Sequence, residues 1–136
     1  MSSPLDPAGA DTGKALVRRV IDDVMNQRRL EALDEIYTPA MAARARAWIT
    51  PFLDSFTDVE MRIVDLVAEG DRVVGRFSCS GTHVGTWRDH PPTNARFTNV
   101  AEVYFFRIRD GRIASAWGLE DTWERLRQLG LLADES

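Results

Sequence analysis

The sequence is poor in the residues that most often announce chemistry. Of its 136 residues one is a cysteine, Cys79, and two are histidines, His83 and His90. A single cysteine rules out an intramolecular disulfide and fits a reducing compartment; on a strand it is expected to be a buried packing residue. Two histidines without a third, and without a tight carboxylate cluster, give no metal-ligand pattern, so no metal is expected. The glycines never fall into a G-x-G-x-x-G or phosphate-loop pattern, so no nicotinamide, flavin or other cofactor is expected to be tightly bound. No serine sits in a nucleophile motif with a histidine and an acid arranged around it. No apolar run approaches the ~18 residues needed to span a bilayer, and the N-terminal residues have neither the basic nor the apolar part of a signal segment. The expected location is therefore the cytoplasm. Positive charge is not in excess: 17 Lys and Arg stand against 21 Asp and Glu, a net charge of -4. Neither a nucleic-acid nor a membrane partner is expected from that balance.

What is present suits one globular domain: 44% hydrophobic and 28% charged residues in a length that buries a core without disulfide or metal. Residues 1–11, rich in Ser, Pro, Gly and Ala and without apolar period, are expected to form a disordered tail, with the domain spanning 12–136. Thr12 is placed to cap a helix in which Leu16, Val17, Val20, Ile21, Val24 and Met25 recur at helical spacing. A second short helix is expected from Leu30 to Tyr37, closed by Pro39. Ala40 to Phe56, alanine-rich and interrupted by Pro51, reads as helical turns carrying Trp48 and Phe52.

The pattern then changes to strands: Val59 to Ala68, Arg72 to Ser80, Arg96 to Ile108 and Ile113 to Leu119. Glu69-Gly70-Asp71-Arg72 and Arg109-Asp110-Gly111-Arg112 are hairpin turns between them. Gly81 to Pro92 is a long irregular connection, and Asp121 to Leu129 a C-terminal helix with Gly130 at its end. Helices followed by a strand meander make the class α+β: an antiparallel sheet with N-terminal helices across one face, leaving a cavity between them where the sheet curves.

Four stretches carry a family resemblance. They are Met25-Asn26-Gln27 with Leu30-Glu31-Ala32-Leu33-Asp34-Glu35-Ile36-Tyr37; Ser80-Gly81-Thr82-His83-Val84-Gly85 leading to Pro91-Pro92-Thr93; Phe106-Arg107-Ile108-Arg109-Asp110-Gly111-Arg112-Ile113; and Trp117 with Asp121 and Gln128-Leu129-Gly130. In order and spacing they resemble the SnoaL-like polyketide cyclase and ester cyclase family, of the nuclear transport factor 2-like superfamily. The resemblance implies a cone-shaped barrel around a deep pocket, usually a homodimer through the outer face of its sheet. It also implies an aromatic polyketide of an antibiotic pathway as substrate, closed into a ring by aldol chemistry without metal or cofactor. In those cyclases an aspartate directly after the tryptophan is the acid/base, often faced by a histidine or aspartate two residues before the Phe-Arg pair. Here those positions hold Gly118 and Tyr104. Glycine cannot take a proton from carbon, and an aldol closure needs a placed base and an oxyanion donor.

Glu102 and Tyr104 share one face of their strand with Val100 and Phe106. If that face is the pocket, Glu102 is a desolvated carboxylate suited to act as a base, and Tyr104 a hydrogen-bonding partner for a substrate oxygen. The alternative is that Glu102 points to solvent or pairs with an arginine such as Arg76. Asp121 is either a third catalytic candidate or the N-cap of the last helix. His83 and His90 lie near the expected mouth, as ligand contacts or as loop hydrogen-bonders. Trp87 is placed to stack on a flat ligand, with Trp48, Phe52 and Phe106 as further binding residues. Glu120 reads as surface. Three functions remain, in this order: hydroxylation of a polycyclic polyketide, with a partner reductase supplying the reduced substrate; a divergent cyclase with Glu102 or Asp121 as base; and a non-catalytic ligand-binding or dimerisation module.

Overall fold

A computed structural model describes residues 7–132. Helix α1 (Pro7–Arg19) runs directly into a π-helical stretch, Val20–Met25, which buries Val20, Ile21, Val24 and Met25. The helix thus starts ahead of Thr12, and the expected tail shortens: Pro7 to Asp11 are helical, while residues 1–6 lie outside the described residues. A 3-10 turn, Leu30–Ala32, leads into the single turn α2 (Leu33–Ile36), and α3 covers Pro39–Ser55.

Pro39 opens α3 where the sequence predicted it to close α2. The two rules that apply to it are compatible. Proline forces Thr38 before it into extended backbone (ψ 154°), and its own fixed φ suits the first helical position. Thr38 then caps the helix through its hydroxyl, 3.4 Å from the Met41 N–H. Pro51 does not interrupt α3, which continues to Ser55.

Four strands complete the sheet: β1 (Phe56–Glu69), β2 (Arg72–His83), β3 (Arg96–Arg109) and β4 (Arg112–Glu120). They pair in chain order as one antiparallel sheet. Two tight turns make this possible, with Gly70 and Gly111 at positive φ, a conformation costly for residues with a Cβ. The sheet is curved but open, so the barrel expected from the resemblance does not close. Helix α4 (Thr122–Gln128) packs on β3 at the end of the chain.

The helices cover the concave face. Val17, Val24, Leu33, Ile36 and Met41 meet Val73, Phe77, Phe97, Val100 and Ile113 in one core. Side chains from the helical layer fasten it to the sheet. Asn26 donates from Nδ2 to the Met61 carbonyl (2.8 Å) and accepts from the Met61 N–H (2.6 Å), acting as a short extra strand on β1. The Arg28 guanidinium donates to the carbonyls of Phe56 and Leu53. Cys79 is buried in this core, and desolvation pushes its thiol well above the ordinary value, as a packing residue. Among the described residues no helix is long and apolar enough to cross a membrane.

Candidate functional site

Between helices and sheet lies a cavity of about 560 Å³, within the range of small-molecule sites. Its walls are mainly apolar: Ile21 and Met25 from the π-helical stretch, Phe52 from α3, and Met61, Phe77 and Phe106 from the sheet. A π-helical turn is rare in a helix interior and recurs at binding sites, because it re-aims the side chains around it; here it turns Val20, Ile21 and Met25 to the cavity. Trp48, 56% exposed, lines the open side of the cavity, and Trp87 and Arg88 also contribute to its wall. Trp87 is held inward by a tight turn. Its N–H donates to the His90 carbonyl (3.0 Å), the His90 N–H donates back (2.8 Å), and Arg88 and Asp89 between them both have positive φ.

The polar end of the cavity is built by β3, β4 and α4. Glu102 faces Glu120 across the β3–β4 ladder, and Tyr104 faces Gly118. The Tyr104 hydroxyl donates to Glu102 Oε1 (2.7 Å), and Arg125 Nη2 donates to Glu102 Oε2 (2.7 Å). Both carboxylate oxygens of Glu102 are therefore engaged. Arg125 reaches Glu120 as well, with Nη1 3.1 Å from Oε2 in an ion pair without hydrogen-bond geometry. The arginine is fully buried and flanked by aromatic rings, its Cζ 4.6 Å from the Phe97 centroid and 5.4 Å from that of Phe52. Cation–π attraction and two carboxylates together compensate its lost hydration.

Burial raises the Glu102 carboxyl above the usual carboxylate range, with Glu120 adding to the effect and Arg125 opposing it. Burial also raises the Tyr104 phenol, reinforced by Glu102, so Tyr104 is a neutral donor to Glu102 whose oxygen stays available to accept from a ligand. For Arg125 burial works against the charge, but Glu120 and Glu102 beside it hold its pKa above the ordinary value. Two acids thus share one cation in a mostly apolar pocket.

This chain belongs to the SnoaL-like polyketide cyclase family. The family's sequence model matches residues 15–129. Among solved structures, TsrD from Streptomyces laurentii is 29% identical, with a TM-score of 0.74 over 90% of this chain and 97% of that one. AclR from Streptomyces galilaeus, described as a proposed hydroxylase, is 23% identical, with a TM-score of 0.81 over 93% and 86%. A SnoaL-like polyketide cyclase, so assigned, from Jannaschia sp. CCS1 is 18% identical, with a TM-score of 0.82 over 98% and 99%. A comparison with the curated proteins gives no match.

Within this SnoaL-like frame the sequence-predicted residues separate. Glu102, Tyr104, Phe106, Trp48, Phe52 and Trp87 all line the cavity. His83 and His90 do not. His83 is the last residue of β2, three residues beyond the predicted end at Ser80, and alternation turns it into the core. Its Nδ1 accepts from the Thr93 N–H (3.1 Å), its ring packs on Phe56, and desolvation lowers its pKa, which keeps it neutral. His90 serves the Trp87 turn through its backbone. Asp121 caps α4, its Oδ1 accepting from the Glu124 N–H (3.1 Å), and is not part of the lining. Arg76 pairs with Asp65 on the other face of the sheet; the partner of Glu102 is Arg125.

The sequence reading missed Arg125 and put Glu120 at the surface, whereas Glu120 lines the cavity. A signal existed for the first: Arg125 stands four residues before Leu129, on the buried face of α4, whereas Trp123 is 61% exposed. For Glu120 the signal was strand parity with Gly118, two residues earlier on β4. Among the described residues no three His, Cys, Asp or Glu side chains gather to hold a metal.

Proposed function

We propose that this chain hydroxylates an aromatic polyketide of an antibiotic pathway, with molecular oxygen as oxidant and the reduced substrate as reductant. One observation carries the reading: where the family resemblance places the acid/base aspartate stands Gly118, and the ring of Tyr104 fills the space its side chain would take. A catalyst without that base on the cavity floor is better suited to an electron-rich substrate that reacts by itself once oriented and kept dry. The stoichiometry closes. A hydroquinone and dioxygen combine to a ring hydroperoxide; loss of water leaves the hydroxylated quinone, so the substrate supplies all four electrons that reduce dioxygen to one water and the new hydroxyl oxygen. A partner reductase in the cytoplasm regenerates the hydroquinone from the quinone.

The test is turnover of a reduced anthraquinone under labelled oxygen. One labelled oxygen atom is expected in each product molecule, and no product without oxygen. Full anaerobic turnover, with a new carbon–carbon bond in the product, would overturn this reading for the cyclase one, which the buried, raised carboxylate of Glu102 favours.

The homodimer implied by the resemblance belongs to the same proposal. The convex face of the sheet exposes Phe105 (48%), Trp117 (60%) and Leu119 (60%), with Phe105 and Trp117 in edge contact at 5.7 Å. Contiguous exposed apolar side chains of this kind mark association surfaces. Trp117→Glu is expected to convert a dimer to monomer in light scattering while leaving the fold intact by circular dichroism; a monomeric parent protein would reject the dimer.

A further inference from the structure

The cavity holds two carboxylates, and their surroundings divide the work between them. Glu102 is 5% exposed, and each of its oxygens already accepts a 2.7 Å hydrogen bond, one from Tyr104 and one from Arg125. Glu120 sits across the ladder on the same face and lines the cavity, with 29% of its side chain accessible. Its ion-pair partner among the described residues is Arg125, which faces Oε2 without hydrogen-bond geometry; no described residue donates a hydrogen bond to Oε1. A carboxylate in an apolar pocket with an unclaimed oxygen is an acceptor waiting for a donor, and its strongest partner is an O–H that it can bond with charge assistance.

We infer that Glu120 is the catalytic base of this site: it accepts the hydroxyl of an aromatic ligand and removes its proton. In that step the ligand O–H bond breaks, the proton passes to Glu120 Oε1, and the electron pair stays on oxygen as a phenolate conjugated to the ring. The neighbouring Arg125 cation bears on the developing charge, and Tyr104, whose own proton is held by Glu102, keeps an oxygen lone pair for a second ligand hydroxyl. The site therefore selects a planar ligand with free hydroxyls at its inner end and ring surface toward Phe52 and Trp87. The inference rests on the aromatic-ligand reading above and assigns within it a residue that the sequence had placed at the surface.

The test uses 2,6-dihydroxyanthraquinone and its dimethyl ether, with quenching of tryptophan fluorescence as readout. The wild-type protein is expected to bind the dihydroxy compound about tenfold or more tightly than the ether, the scale of a charge-assisted hydrogen bond. Glu120→Gln should remove most of that preference by weakening the dihydroxy compound alone, and should lower kcat more than it raises KM on a hydroxylated substrate. Equal binding of the two compounds by the wild-type protein overturns the role of Glu120 while leaving the aromatic pocket standing. Binding of neither compound overturns the aromatic reading and this inference with it. The comparison of the two ligands on the unaltered protein holds whether or not the variant folds.

Discussion

Arg125→Met will be among the most damaging single substitutions in this protein, costing roughly 3–5 kcal/mol of unfolding free energy. The side chain is fully buried and, among the described residues, is the only cation paired with Glu102, itself 5% exposed. Methionine keeps most of the volume between Phe52, Phe97 and Trp87, so the loss measures charge more than packing. What remains is a carboxylate without a counter-ion in an apolar wall, and such a group either protonates or destabilises the fold. The sign of the pH dependence is fixed by the same pair. Burial already raises Glu102 above its unfolded value in the parent protein, and Arg125 is the largest opposing influence. Removing Arg125 raises it further. A carboxyl whose folded pKa is raised favours the folded state fully below its unfolded pKa and loses that contribution as pH rises through the folded one. The variant should therefore lie closest to the parent protein in acid and fall away as pH climbs from the ordinary carboxylate range toward neutrality. Chemical denaturation of both proteins across that range measures it; a gap independent of pH would show that packing, not charge, makes Arg125 necessary.

The same network shows what a linear sequence reveals and what it hides. The order of elements was legible because its signals are local: the 3.6-residue period of Val17, Val20, Ile21 and Val24, and the turns at Gly70 and Gly111. Strand parity was legible too, and it placed Glu102, Tyr104 and Phe106 on one face; that this face is the cavity side, and not solvent, comes from the packing of helices on the sheet. Boundaries failed where two rules compete at one residue. Pro39 bars helix at Thr38 and, in the same position, opens α3; β2 outruns Ser80 because the ladder continues through Gly81 to His83. That extension decides the role of His83, since a loop histidine at a pocket mouth and a strand histidine in the core differ by three residues of pairing. The Glu102–Arg125 pair joins residues 23 positions apart on a strand and a helix. Several arginines offered equal prospects, and only the packing of α4 on β3 selects one.

Gly118→Asp restores in name the acid that the family resemblance implies, and it is expected to give a destabilised protein without cyclase activity. A Cβ at position 118 would lie 2.1 Å from Tyr104 Cδ1 and 2.5 Å from the Val103 carbonyl oxygen. Overpacking of this kind costs about 1–3 kcal/mol, and desolvating the new carboxylate adds to it. A double-mutant cycle separates the two contacts. Tyr104→Ala removes the ring, so Gly118→Ala should be less harmful in its presence, with a coupling of about 1–3 kcal/mol for residues in direct contact. It should not become harmless, because the Val103 carbonyl belongs to the β3 backbone and stays in place. Additive losses in thermal or urea unfolding would show that the two positions are independent. The geometry argues otherwise: the phenol ring lies where the backbone is bare, and its hydroxyl reaches Glu102 from that position. Tyrosine at 104 and glycine at 118 are thus one structural feature. The bare backbone at Gly118 is what seats the phenol, the phenol occupies one oxygen of Glu102 while Arg125 occupies the other, and the other carboxylate lining the cavity is Glu120.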